Sequence, residues 1–267
     1  MKPNISADKD TGLCVLSPED VFRFHCHPER TCFNQCCRNI TIFLTPYDIL
    51  RMKSALSMTS GAFLARYTVT MIGDAGLPIV ILQMQPDKEK TCPFVGSGGC
   101  SIYPDRPWAC RVYPLKPEST KITEKAGKSY YSVMDVPFCR GFETDRALTV
   151  AEWIDEQGVS PYLEMEPPFK NIIANERLMQ ARIENNQIRQ MFYMACYDLD
   201  SFRRFVFDST FLKRFEIAPE EVDALRSDDV ALYRLAMRWV DYGLLARQVL
   251  TVRPDVLAAG KKELGIE

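Results

Sequence analysis

His25-Cys-His-Pro-Glu-Arg-Thr-Cys-Phe-Asn-Gln-Cys-Cys37 packs four cysteines and two histidines into thirteen positions. Three chemistries gather thiols in this way: disulfides, a catalytic thiol, or a metal centre. The choice between them decides the fold. The stretch is too polar and irregular for a regular helix or strand, so something other than a backbone ladder must hold it.

The other cysteines narrow the choice. Cys92, Cys100 and Cys110 form a second group, and Cys139 lies within Phe138-Cys-Arg-Gly-Phe142; only Cys14 and Cys196 stand apart. Cysteines used merely as small hydrophobes would be scattered along the chain. Ten in 267 residues is also well below the roughly 8–10% of a small disulfide scaffold. The opening Met1-Lys-Pro-Asn-Ile-Ser-Ala-Asp-Lys-Asp-Thr-Gly12 has no apolar stretch and does not read as a secretory signal. A cytoplasmic location is therefore expected, where reduction disfavours structural disulfides. Clustered cysteines in such a chain point to metal. His25 and His27 are the only histidines. They could ligate, but their isolation weakens any Ser/His or Cys/His hydrolase proposal.

Thiolates suit zinc, copper(I) and iron–sulfur clusters. Zinc knuckles bring two cysteines two to four residues apart, twice. Here the first group runs C-x5-C-x3-C-C and the second C-x7-C-x9-C, so only Cys32 and Cys36 have a knuckle-like gap. The side chains of adjacent Cys36 and Cys37 diverge. They serve two metal atoms, two sites, or one site and one free thiol more naturally than one small ion. Eight clustered thiols would satisfy two four-thiolate centres, and iron–sulfur clusters accept irregular spacing. These features favour an iron–sulfur cluster, with 4Fe-4S a candidate type and zinc the alternative. Arg38, Arg106, Arg111 and Arg140 lie beside the cysteines and could offset thiolate charge. Trp108 could shield a centre from water.

Cys36-Cys37, Thr45-Pro-Tyr-Asp48, Cys92-Pro-Phe94 and Gly99-Cys-Ser-Ile-Tyr-Pro-Asp-Arg-Pro-Trp-Ala-Cys-Arg-Val-Tyr-Pro114 together resemble the YkgJ-type cysteine-cluster family, a zinc- or iron-chelating domain. The resemblance covers about residues 22–142. It implies metal ligands at Cys26, Cys32, Cys36, Cys37, Cys92, Cys100, Cys110 and Cys139. The family's first part is often a compact C-x2-C-x2-C-C; here it is stretched around Cys26 and Cys32. The same pattern is similar to the cysteine-rich part of flagellin lysine methylases. That similarity implies an iron–sulfur centre serving an S-adenosylmethionine-dependent, protein-modifying enzyme. The remaining chain shows no identifiable donor-binding motif. Whether the protein is a metal-binding protein carrying a cysteine-ligated centre, a cluster-dependent protein-modifying enzyme, or a structural zinc module that presents the helices to a partner stays open on these residues.

The rest reads as α+β. Ser17-Pro18-Glu19-Asp20 can start a short helix or turn. Thr45-Pro46-Tyr47-Asp48 has the cap, the first-turn proline and the capping-box carboxylate of a helix. A second helix is expected over Ser60 to Arg66. Tyr67–Ile72 and Pro78–Met84 flank Gly73-Asp-Ala-Gly-Leu-Pro78, which predicts a hairpin; Tyr130–Val136 reads as another strand. Past about residue 147 cysteine nearly disappears and helical spacing takes over. Thr149-Val-Ala-Glu152 is a second capping box, with Leu148 and Trp153 as a hydrophobic staple. Residues 172–200 and 229–250 read as long helices, and Glu156–Pro168 as a proline-bearing loop. The expected organisation is a metal-stapled cysteine-cluster domain, 14–147, with a β-hairpin and short helices, then a mainly helical domain, 148–267.

The formal charge of −2 and interspersed charges give no reason to expect nucleic acid or an anionic membrane. The apolar runs are too short to span a bilayer. Gly96-Ser-Gly-Gly99 superficially resembles a phosphate cradle but lacks the strand–turn–helix frame and the following Lys-Ser/Thr. A turn that brings Cys92 and Cys100 together is expected instead.

Overall fold

The computed structural model describes residues 15–118, 130–134 and 136–263. The architecture is α+β, built from small antiparallel sheets and many short helices. Among the described residues, no helix is long and apolar enough to cross a membrane.

The chain forms two compact units, each made of two stretches: residues 1–42 with 83–164, and 43–82 with 165–267. The composition step near residue 147 falls inside the first unit, because composition reports where cysteines are spent, whereas the units are set by which faces pack together.

In the first unit, β1 (Val21–Arg23) pairs antiparallel with Ala147–Thr149, and Leu115–Glu118 pairs with Tyr130–Val133. Between them lies a core of Phe22, Phe24, Leu115, Tyr131, Leu148, Val150 and Trp153, with Trp108 and Cys139 packed partly against it. Phe24 meets the Trp153 ring edge-on at 5.3 Å and the Phe142 ring at 5.1 Å. Trp108 thus contributes to this core. Ser17 and Asp20 form a turn, the Asp20 carboxylate accepting from the Ser17 N–H at 2.7 Å and its hydroxyl at 2.9 Å. Thr149 caps the Val150–Glu156 helix through the expected capping box with Glu152. Leu148 and Trp153 lie in one cluster, as a staple requires.

The second unit holds the expected hairpin. Thr68–Ile72 and Pro78–Leu82 pair in register, and Phe43–Leu44 adds a third strand beside Pro78–Leu82. Thr45 caps the Pro46–Ala55 helix through a complete capping box, and Ser60–Tyr67 is the second short helix. The long helix expected over 172–200 is instead Glu176–Ala181, Asn186–Cys196 and the start of Leu199–Asp208. Asn175, Asn185 and Asp198 each cap a new helix by accepting backbone N–H groups with their side chains. Residues 160–173, expected in part as a loop, form the helix Ser160–Ile173 despite Pro167 and Pro168. Tyr162, Met165, Phe169 and Ile172 recur at helical spacing and are buried, which outweighs the prolines' local cost. Asp229–Leu245 is the longest helix among the described residues, ending five residues before the expected 250.

Candidate metal centre

All nine described cysteines are free thiols, and Cys14 lies outside the described residues. Eight of the nine are in the first unit; Cys196 is wholly buried in the second.

The His25–Cys37 stretch folds as turns that end in a short 3-10 helix, Gln35–Cys37. The Asn34 backbone sits in the left-handed region, φ 65°, and its side chain donates to the Gly96 carbonyl at 3.1 Å. Two chain crossings then bring distant cysteines together. In the first, the Cys92 N–H donates to the Cys37 carbonyl at 2.8 Å, beside an antiparallel bridge between Arg38 and Thr91. A tight hairpin sets Val95 opposite Cys100 and Gly96 opposite Gly99, so the glycine stretch is a turn. In the second crossing, the His25 N–H donates to the Gly141 carbonyl at 2.9 Å, and the Arg140 N–H reaches the Cys32 sulfur at 3.2 Å.

The electrostatics follow the same division. Burial pushes the Cys26 thiol up to about 11, with the sulfurs of Cys36, Cys32 and Cys139 adding to the effect. Cys37 donates to the Cys36 sulfur, which lowers Cys36 to about 7 and raises Cys37 well above the thiol range. Cys92 and Cys110 also act on Cys37. Burial raises Cys92 and Cys100 as well, and Cys100 is among the groups acting on Cys92. Cys36, Cys32 and Cys139 thus act on Cys26, while Cys36, Cys92 and Cys110 act on Cys37, and Cys36 acts on Cys92 as well, so Cys36 is linked to both sets of neighbours.

Tyr113 is a neighbour that sequence reasoning missed. Burial drives its phenol well above the ordinary range, with the nearby Cys139, Cys36 and Cys26 sulfurs adding to the effect, and its buried hydroxyl makes no hydrogen bond among the described residues. The available signal was its place in the Arg-Val-Tyr-Pro114 end of the family-like string.

The four arginines divide by burial. Arg106 and Arg111 are 6% exposed and anchor the Trp108–Val112 helix that carries Cys110. Arg106 donates to the Tyr103 carbonyl and the Gln157 side chain, both at 2.6 Å; Arg111 donates to the Gln157 carbonyl at 2.7 Å and to the Arg106 and Pro104 carbonyls. Burial works against the Arg106 charge, while the Cys110 and Cys100 sulfurs favour it. Arg38 and Arg140 instead pair with Glu89 and Glu143 at the surface. The His25 and His27 rings lie 4.8 Å apart, and His27 faces Glu29 at 3.9 Å.

Among the described residues, no three or more His, Cys, Asp or Glu side chains close on one point as a ready-made metal site. What the structure shows is eight free thiols in the first unit, seven partly buried and Cys26 exposed, with the Arg106 guanidinium near Cys100 and Cys110. Soft donors of this kind suit a thiophilic ion or cluster.

Comparison with curated proteins and with solved structures finds no match. Residues 25–134 match the family model described as "CxxCxxCC: Putative zinc- or iron-chelating domain". That span takes in seven of the eight clustered cysteines and stops short of Cys139. The match agrees with the resemblance to a zinc- or iron-chelating cysteine-cluster domain that the cysteine pattern of this region carries.

Proposed function

We propose that the eight clustered cysteines hold metal as two four-sulfur sets, Cys26/Cys32/Cys36/Cys139 and Cys37/Cys92/Cys100/Cys110, and that the occupant is iron–sulfur. The observation that carries this reading is the pair of chain crossings that join Cys37 to Cys92 and Cys32 to Arg140, next to Cys139. Vicinal cysteines facing different neighbours suit two centres better than one small ion. A bound iron–sulfur cluster would supply one-electron chemistry or a Lewis-acidic iron. The protein's own part is to desolvate the sulfurs, to offset their charge with Arg106, and to place the buried Tyr113 ring beside Cys139. A metal or cluster is the partner in this reading, and the reducing cytoplasm is its compartment. A net charge of −2 gives nucleic acid and anionic membranes no role.

Purification without oxygen, followed by elemental and sulfide analysis, tests the proposal. Brown protein with iron and acid-labile sulfide is the expected result. Colourless protein with stoichiometric zinc and no sulfide would replace the iron–sulfur assignment with a structural zinc module, and metal-free protein under reducing conditions would remove both.

A further inference from the structure

The second unit contains a cavity of about 350 Å³, walled by the helices Asn186–Cys196, Leu199–Asp208, Phe211–Arg214 and Asp229–Leu245. This is within the size range of small-molecule sites, at its lower end. Its walls are mainly apolar and strongly aromatic. Phe205 lies 5.1 Å from Trp239, Phe211 lies 4.9 Å from Phe215, and Phe215 meets Tyr242 edge-on at 5.4 Å. Phe211 and Phe215 are buried, but Phe205, Trp239 and Tyr242 are only half-buried. Half-buried rings around one concavity leave apolar surface in water, which favours an apolar occupant.

Two residues say what kind. Gly243 stands in the last turn of the Asp229–Leu245 helix and lines the cavity. Its backbone is not in the left-handed region, and a Cβ there would meet nothing within 4 Å, so neither conformation nor close packing calls for glycine at this point. Arg214 is the one charged residue in the lining; it is exposed and has no carboxylate partner among the described residues. An aromatic box for an ammonium ion would want an acidic rim, and this rim is cationic.

We propose that this cavity binds an arylalkyl monocarboxylate, its ring against Trp239 and Phe205 and its carboxylate on Arg214. The test uses the full chain and three matched probes: 4-phenylbutyrate, 4-phenylbutan-1-ol and 4-phenylbutylamine. Saturable binding is followed by calorimetry and by tryptophan fluorescence, Trp239 being the only tryptophan in this unit. The acid should bind about tenfold more tightly than the alcohol, the worth of one charge-assisted hydrogen bond, and the amine most weakly. Arg214→Gln should bring the acid down to the alcohol's affinity. Gly243→Phe should abolish binding of both, with the helical circular dichroism retained. No saturable binding of the acid at millimolar concentration would overturn the proposal. So would tightest binding of the amine, or an acid preference that survives Arg214→Gln. The surface variant Arg214→Gln keeps the test decisive if Gly243→Phe fails to fold.

Discussion

A thiol becomes a metal ligand only by losing its proton, so the protonation of each sulfur governs loading. Cys26 sits at about 11 because burial and neighbouring sulfurs oppose its charge, whereas Cys36 sits at about 7 because Cys37 donates to it. A raised thiol must release its proton when metal enters. Metal affinity is therefore expected to rise with pH between those two values. Loading near neutral pH should release protons, measurable with an indicator dye in weakly buffered solution; pH-independent affinity would contradict the ligand assignment. Substitution separates the thiols further. Cys36→Ser and Cys110→Ser should each lower metal content. Cys139→Ser should do the same, although Cys139 lies beyond the family match, because the Arg140 N–H ties that segment to Cys32. Cys196→Ser should leave metal content unchanged at a stability cost of about 1–3 kcal/mol, since its sulfur is wholly buried in the second unit. The gathering of eight cysteines into one unit was legible in the sequence, because cysteines are rare and these are crowded. Tyr113 was not, since a tyrosine near cysteines has no signature until the fold buries its ring beside them.

Elements were legible where their signals are local. The capping boxes at Thr45 and Thr149 involve only residues three apart, and both form. The hairpin follows from β-rich runs around a glycine turn. Apolar periodicity alone overran the breaks at Asn175, Asn185 and Asp198, whose side chains end one helix path and start another. The helix through Pro167 and Pro168 was hidden for the opposite reason: burial at a distance outvoted local propensity. The hairpin turn also depends on a contact invisible in sequence. Gly76 has φ +75°, and a Cβ there would lie 2.2 Å from the Ile183 carbonyl oxygen. The Ile183 N–H donates to the Ala75 carbonyl at 2.9 Å, and Arg189 donates to the Gly76 carbonyl at 2.8 Å, which fixes the close approach. Gly76→Ala should destabilise the protein by more than about 2 kcal/mol, read as a lower urea midpoint. An unchanged midpoint would mean the turn has freedom that this packing denies.

At the scale of the whole molecule, each compact unit joins two stretches of chain, and the composition step near residue 147 coincides with neither join. Residues 43–82 carry no cysteine, yet they interrupt the cysteine-bearing stretches and fold into the helical unit. A polar network holds them there. Lys53 is 6% exposed; its ammonium lies 2.6 Å from the Asp229 carboxylate and 3.7 Å from that of Asp200. The Ser60 N–H and hydroxyl donate to Asp200 at 2.6 and 2.9 Å, and Arg203 donates to Asp229 at 2.5 Å. Partial burial works against both carboxylates. It is outweighed at Asp200 by Ser60 and Lys53 and at Asp229 by Lys53 and Arg203, so both lie below the ordinary aspartate value. A depressed carboxylate contributes stability above its unfolded value, and that contribution is lost as pH falls through the folded one. The helical unit should therefore keep this stability down to about pH 4 and lose it progressively below. Lys53→Met removes the buried ammonium and leaves Arg203 alone to balance two carboxylates in a partly buried site. It should cost about 3 kcal/mol at neutral pH, and the cost should shrink in acid as the carboxylates take up protons. Urea denaturation of both proteins at pH 7 and pH 3.5, followed by helical circular dichroism, measures this. An equal difference at the two pH values would show that Lys53 acts through packing of its stem and not through its charge.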